Sequence, residues 1–220
     1  MKRAIVLVSG GMDSCVTASF AKKHEFELYF LHINYGQKTE KRELQSFNQI
    51  ADFFNAKERL IIDMNYFSNI GGSCLTDSNI DVPDGNLDSK DIPVSYVPFR
   101  NANILAAATS WAEVINAETI YIGAVEEDSS GYPDCRRSFY DSFEQTINEG
   151  TKPDTNIKII TPLINLSKKD IILNAIKLKS PLGLTWSCYK NETIACGKCD
   201  SCLLRERGFK EARQQDPILI

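Results

Sequence analysis

The string Ser9-Gly10-Gly11-Met12-Asp13-Ser14 carries the groups that a phosphate chain needs. It follows a short apolar run, Ala4 to Val8, and precedes a stretch with helical spacing. In such a strand-to-helix turn the backbone amides converge on an anion, and the helix N-terminus adds partial positive charge. Gly10 and Gly11 let the backbone approach without a Cβ in the way. The Ser9 and Ser14 hydroxyls are donors to phosphate oxygens. Asp13 repels phosphate, so its place there suits a ligand to a phosphate-bound magnesium ion. A tight turn with Asp13 as a plain N-cap is the alternative, and the full string in this context favours phosphate. The Gly-Lys-Ser ending of a P-loop is missing.

A second cluster lies near the other end. Cys188, Cys196, Cys199 and Cys202 are separated by seven, two and two residues. A two-residue gap lets both thiolates turn toward one ion, and four thiolates complete a tetrahedral zinc shell. Gly197 and Lys198 fit the knuckle between ligands. Such a closed shell is structural, tying the C-terminal loop and helix to the rest. An iron–sulfur cluster and a redox pair are the rivals. Of the other cysteines, Cys15 is expected to pack beneath the phosphate helix, Cys135 lies in a distinctive loop, and Cys74 has no evident role.

These clusters need a scaffold. Ala4–Val8, Glu27–Asn34 and Arg59–Met64 read as strands, with helices over Asp13–Lys23 and from an N-cap at Thr39 to Phe54. The alternation predicts a doubly wound α/β fold, with a parallel sheet and helices on both faces. Tyr66 to Tyr96 interrupts it with a polar loop containing Gly71, Gly72, Pro83, Gly85 and Pro93. That loop is expected to be mobile and to order over a filled site. The rhythm resumes with a helix over Asn101–Val114 and a strand over Thr119–Ala124. A loop over Ser129–Arg137 leads to a helix over Ser138–Asn148 and a strand at Lys158–Ile160. A helix over Ser167–Lys179 opens on a Ser167/Asp170 capping box. A cysteine-bearing loop over Pro181–Lys198 and a helix over Cys202–Gln214 follow. A single domain over 1–220 is expected, with a zinc-binding extension at about 181–214.

A net charge of −4 and no basic stripe argue against a nucleic-acid partner and for a small substrate. No apolar run approaches the ~18 residues of a membrane span, and the run after Lys2 and Arg3 is short for a signal peptide. A cytoplasmic, reducing setting is expected, where crowded cysteines suggest metal.

The phosphate loop resembles that of the adenylating ATP pyrophosphatases, which cut ATP between the α and β phosphates. The loop is joined by Val97-Pro98-Phe99-Arg100-Asn101 and by Gly123 to Arg136, with Tyr132-Pro133-Asp134-Cys135-Arg136 the most distinctive part. Together with the cysteine spacing, these motifs resemble the 7-cyano-7-deazaguanine synthase family of the queuosine pathway, over essentially the whole chain. The resemblance implies a ligase that turns 7-carboxy-7-deazaguanine and ammonia into the nitrile, using ATP with Mg2+, around a structural Zn2+. It implies ATP contacts from Val8, Ser9, Gly10, Gly11, Met12, Asp13, Ser14, Cys15, Val16, Thr17 and Ala18, with Asp13 and Ser14 closest to the chemistry. Arg100, Asn101, Asp134 and Arg136 are the expected substrate contacts: Asp134 for guanine-like N–H groups, Arg136 for a carboxylate or phosphate. Tyr35, Gly36 and Gln37 are expected near the adenosine. His24 and His32 are read as structural.

A tRNA-modifying thiolase is the alternative, and it requires a basic surface and reactive cysteines. A glutamine-dependent synthetase and a non-enzymatic zinc adaptor are weaker rivals. No segment resembles a glutaminase, so free ammonia is the expected nitrogen source. A homodimer is compatible with the sequence, which does not determine oligomeric state.

Overall fold

The computed structural model describes residues 2–89, 91–126 and 131–219. Five parallel strands lie in the order β3-β2-β1-β4-β5. They are β1 (Arg3–Leu7), β2 (Glu27–Asn34), β3 (Glu58–Asp63), β4 (Thr119–Tyr121) and β5 (Lys158–Ile160). The helices are α1 (Met12–Lys23), α2 (Glu40–Phe54), α3 (Tyr66–Ile70), α4 (Arg100–Ile115), α5 (Arg137–Gly150), α6 (Lys168–Lys177) and α7 (Asp200–Glu211). This is the expected doubly wound arrangement. The order reverses beside β1, where an open α/β sheet forms its binding crevice.

The central strands are largely apolar because both sheet faces are covered. Along β1, Ile5 and Leu7 join the core that contains Leu105, Ala108 and Trp111 of α4. Ala4, Val6 and Val8 point the other way, to Cys15 and Ala18 of α1 and Phe47, Ile50 and Ala51 of α2. The edge strand β3 leaves Glu58, Arg59, Ile61 and Asp63 exposed, and its charges discourage pairing with another edge. Both histidines are structural. The His32 ring stacks on Phe47 and its Nδ1 lies 2.8 Å from the Val8 carbonyl oxygen. His24 Nδ1 meets the Tyr121 hydroxyl at 2.9 Å.

Two local expectations need correction. Thr39 precedes α2, yet its hydroxyl makes no cap; it donates to the Glu43 carboxylate at 2.7 Å. The strand expected to reach Ala124 ends at Tyr121, and the chain then opens toward the crevice. The segment from Tyr66 to Tyr96 is tied down at several points. Ser73, Cys74 and Leu75 are buried, and the Leu75 carbonyl accepts from Lys38 N at 3.0 Å. Gly85 N donates to the Lys198 carbonyl at 2.7 Å, and Asn86 N to Asp200 Oδ1 at 3.0 Å. These anchors fasten the expected lid to the cysteine knuckle. Part of the loop expected at Ser129–Arg137, residues 129–130, lies outside the described residues, as does Lys90.

Candidate active site

The expected phosphate loop crosses from β1 to α1 at the strands' carboxyl ends. Gly10 has φ +91, and a Cβ there would lie 2.5 Å from the Glu43 carbonyl oxygen. Trp186 N donates to the Gly10 carbonyl at 2.9 Å, so the cysteine-bearing loop braces the turn. Gly123 is a second tight point: a Cβ would come within 2.9 Å of the Asp13 carbonyl carbon. Ser9 Oγ accepts from Gly11 N at 3.2 Å, and Ser14 Oγ donates to the Gly11 carbonyl at 2.9 Å. Both hydroxyls are thereby aimed within the turn.

Asp13 is the group that the loop alone does not explain. Its Oδ2 accepts from Lys168 Nζ at 2.5 Å, and its Oδ1 is buried with no hydrogen-bond partner among the described residues. An orphaned carboxylate oxygen beside an anion cradle fits a hard cation. Lys168, at the start of α6, is itself buried. Ser167 caps that helix by accepting from Asp170 N at 3.1 Å, as the capping box requires. The cap sets the helix start and hence where the ammonium points.

The loop opens into a cavity of about 270 Å³. Val8, Ser9, Gly11, Met12, Asp13 and Ser14 line its floor. Cys15, Val16, Thr17 and Ala18 are fully buried beneath and do not reach it. They shape the loop by packing α1. Arg100, Asn101 and Ile104 enter from α4, Tyr35 and Glu43 from the β2–α2 side, and Gly123, Tyr132 and Cys135 from beyond β4. The far wall comprises Trp186, Ser187 and Tyr189, with Ser201, Leu204 and Arg205 of α7. The Arg100 guanidinium donates to the Tyr35 hydroxyl at 3.0 Å and lies 4.9 Å from that ring's centre. Arg205 is buried, its guanidinium paired two-point with Asp216 at 2.6 and 2.9 Å and donating to Thr185 Oγ1 at 2.8 Å. Its orientation is fixed by this network.

The four knuckle cysteines converge. Their Sγ atoms all lie within 4.8 Å of one another, and Cys196 and Cys202 are 3.9 Å apart. Tetrahedral metal–thiolate bonds of ~2.3 Å place sulfurs about 3.8 Å apart. Cys188 Sγ accepts from the amides of Lys190, Asn191 and Cys196 at 3.3–3.4 Å. The neighbouring thiols Cys199 and Cys202, and then the Cys196 and Asn191 amides, hold the Cys188 thiol well below its usual range. That donor set suits a structural metal ion with four thiolate ligands. Gly197 has φ +70 at the knuckle turn.

The sequence profile described as Queuosine biosynthesis protein QueC matches residues 3–213. The chain belongs to the QueC family. A 7-cyano-7-deazaguanine synthase from Chloroherpeton thalassium is 56% identical over 216 residues, covering 98% of this chain and 96% of the relative. One of the same name from Nautilia profundicola is 54% identical over 218 residues, covering 99% and 98%. Solved structures bear on the fold alone. A predicted subunit of tRNA methyltransferase from Methanocaldococcus jannaschii gives TM-score 0.53 at 18% identity, over 80% of this chain and 75% of that one. NMN synthetase from Francisella tularensis gives 0.52 at 15% identity, over 97% and 78%.

Within this QueC-family site, two expected substrate contacts move away. Asp134 is 3% exposed and off the cavity wall. Its Oδ2 accepts from Asn101 N at 3.0 Å, and its carbonyl accepts from the Tyr140 hydroxyl at 2.9 Å. A buried carboxylate at the start of α4 stabilises that helix's free amides and dipole. Arg136 is exposed and off the wall, at the residue just before α5. Asp134→Ala is therefore expected to lower stability by about 1–2 kcal/mol through the lost cap. Arg136→Ala is expected to leave kcat/KM within about twofold, since surface changes away from a site cost little. Thermal denaturation and steady-state rates check both. A sharp rise in KM for Arg136→Ala would restore it to the site. Glu127, Asp128, Ser129 and Ser130 of the same motif lie outside the described residues.

The sequence reading missed Glu43, Lys168, Trp186, Tyr189 and Arg205. The residues that were placed on the wall, Arg100 and Asn101, came from a motif at a helix start.

Proposed function

We propose that this chain converts 7-carboxy-7-deazaguanine and ammonia into 7-cyano-7-deazaguanine with ATP. The observation that carries the reading is a single cavity running from an anion cradle at Ser9–Ser14 to the cationic and aromatic groups Arg100, Tyr35, Tyr132 and Tyr189. A carboxylate does not accept ammonia, so it must first attack the α-phosphorus of ATP, releasing pyrophosphate and forming an acyl adenylate. Ammonia then displaces AMP to give the amide. The amide oxygen attacks a second ATP in the same way, and loss of AMP and protons leaves the nitrile. Both activations need the same inventory: fixed donors at the phosphates and a held acceptor oxygen.

The loop amides and the Ser9 and Ser14 hydroxyls receive the phosphates, and Lys168 offsets their charge. Asp13 Oδ1 is the proposed ligand for Mg2+, which would neutralise charge on the departing pyrophosphate. Arg100 is suited to orient the substrate's carboxyl group. Zn2+ is the proposed ion of the four-cysteine knuckle, in a closed structural role. Of the described segments, none is a helix long and apolar enough to cross a membrane, and we place the reaction in the cytoplasm.

The thiolase alternative needs a thiolate in the cavity. Burial pushes the Cys135 thiol up to about 11, with Asp134 adding to the effect, and burial pushes Cys15 up to about 12. Both stay protonated at neutral pH, which favours the nitrile reading.

The test is incubation with ATP, ammonium and the carboxylate, with products followed by mass spectrometry. The expected result is nitrile with two AMP formed for each. Accumulation of the amide with one AMP would restrict the chain to the first half. No consumption of the carboxylate would reject the reading.

A further inference from the structure

A guanine-like substrate presents two adjacent donors, a ring N–H and an exocyclic amino group. A carboxylate pairs with both at once, and a site that desolvates the base needs such an acceptor. Two carboxylates line the cavity among the described residues, Asp13 and Glu43. Asp13 belongs to the phosphate loop and is held by Lys168. Asp134, the sequence's own choice, is spent on the start of α4. We propose that Glu43 recognises the donor edge of the substrate's base and so sets its specificity, an inference that rests on the deazaguanine reading of this site.

Glu43 is built into place. It sits in the first turn of α2, and its own carbonyl is the atom that crowds Gly10, so its backbone is registered against the phosphate loop. Its Oε1 accepts from Thr39 Oγ1 at 2.7 Å and its Oε2 from Gln37 Nε2 at 3.2 Å. Gln37 is fixed in turn, its Oε1 accepting from Tyr35 N at 2.8 Å. These contacts hold the carboxylate plane and leave each oxygen a further lone pair for the ligand. This is why Thr39 gives up its capping bond: the hydroxyl serves a cavity side chain instead. Tyr35 beside Glu43 and Trp186 on the far wall give the cavity aromatic surface that suits a flat base.

The electrostatics agree. Desolvation pushes the Glu43 carboxyl up to about 7, against the hydrogen bond from Thr39, the charge of Arg100 and the bond from Gln37, with Glu40 adding to the rise. An acid so poised gains from two N–H donors, which favour its charged form.

The experiment measures kinetics for wild type and Glu43→Gln with the carboxylate substrate and with an analogue lacking the exocyclic amino group. Wild type is expected to show KM for the analogue about 100-fold higher, the worth of a lost hydrogen bond to a charged group. Glu43→Gln is expected to raise KM for the true substrate by about as much and to abolish the discrimination, with KM for ATP within about twofold. A merely structural Glu43 would lower both rates and keep the discrimination. Retained discrimination in the variant overturns the inference, as does an effect confined to ATP, which would put the adenine here. Equilibrium binding of 7-deazaguanine itself to both proteins separates the two proposals. If wild type makes no nitrile yet binds this base, and Glu43→Gln does not, the functional reading fails and the role of Glu43 stands. If wild type does not bind the base, the inference falls. A wild type that accepts the analogue equally well also overturns it, whether or not the variant folds.

Discussion

Asp13→Ala is expected to lower turnover by about 100- to 1,000-fold, the size of effect seen when a group stabilising transition-state charge is lost. Asp13 contributes in two ways. Its Oδ1 is buried without a partner among the described residues, and its Oδ2 holds Lys168 Nζ at 2.5 Å. The alanine variant would remove the proposed ligand for magnesium and release the ammonium from its position at the cradle. The fold should survive, because α1 is packed by Cys15, Val16 and Ala18 and not by Asp13. Asp13→Asn keeps the shape and removes the charge, so it separates packing from cation binding. Pyrophosphate release in magnesium-containing buffer, with circular dichroism as the folding control, measures both variants. Activity within tenfold of wild type would sink the proposed role of Asp13.

Loss of the knuckle metal is expected to have the largest effect on stability. The four thiols lie within 4.8 Å of one another. Without an ion, close thiolates repel one another and protonated thiols make only weak hydrogen bonds. Structural zinc sites contribute on the order of 10 kcal/mol of apparent binding free energy. Even partial loss should lower Tm by about 10 °C or more in a chain of this size. Cys202→Ser, or prolonged chelation, should release one zinc per chain. Elemental analysis finding iron in the native protein would overturn the zinc assignment.

The effect should also reach the nucleotide. Glu192, between the cysteine ligands, accepts from Lys41 N and Arg42 N at 3.1 and 3.3 Å, capping the first turn of α2. Arg42 lies 4.7 Å from the Trp186 ring centre, and Trp186 N holds the Gly10 carbonyl. The cysteine spacing by itself implies a structural metal that ties the C-terminal loop and helix to the rest. The knuckle's contacts with α2 and the phosphate loop predict weaker ATP binding as well, by about tenfold if one or two such bonds are lost. Binding of ATP to metal-depleted protein, at a temperature where it remains folded, checks this.

Much of the scaffold could be read from local pattern. Buried parallel strands appear as continuous apolar runs, so Ala4–Val8 and Glu27–Asn34 were evident, and Lys158–Ile160 agrees residue for residue. Edge and termination effects were less legible. Thr119–Ala124 looked like one strand, yet the strand ends at Tyr121, with one last bond from Ile122 N to the Ile160 carbonyl, and Gly123 then packs closely against the Asp13 backbone. The segment from Tyr66 to Tyr96 looked like a free excursion because its anchors are distant: Lys38, Lys198 and Asp200.

The sequence by itself determined the parts whose chemistry lies in consecutive residues. The phosphate cradle is a short turn made of its own amides. The knuckle is a spacing rule, with three of its four ligands, Cys196, Cys199 and Cys202, three residues apart in sequence. Strand and helix alternation depends on side-chain period alone. Tertiary structure decided which side chains share the cavity. Glu43, Arg100, Lys168 and Arg205 are far apart in the chain and meet only because parallel crossovers bring each strand's carboxyl end, and the helix that follows, to one edge of the sheet. The same geometry withdrew Asp134. Its carboxylate was chemically right for the base, but the start of α4 lies closer and its free amides take the charge.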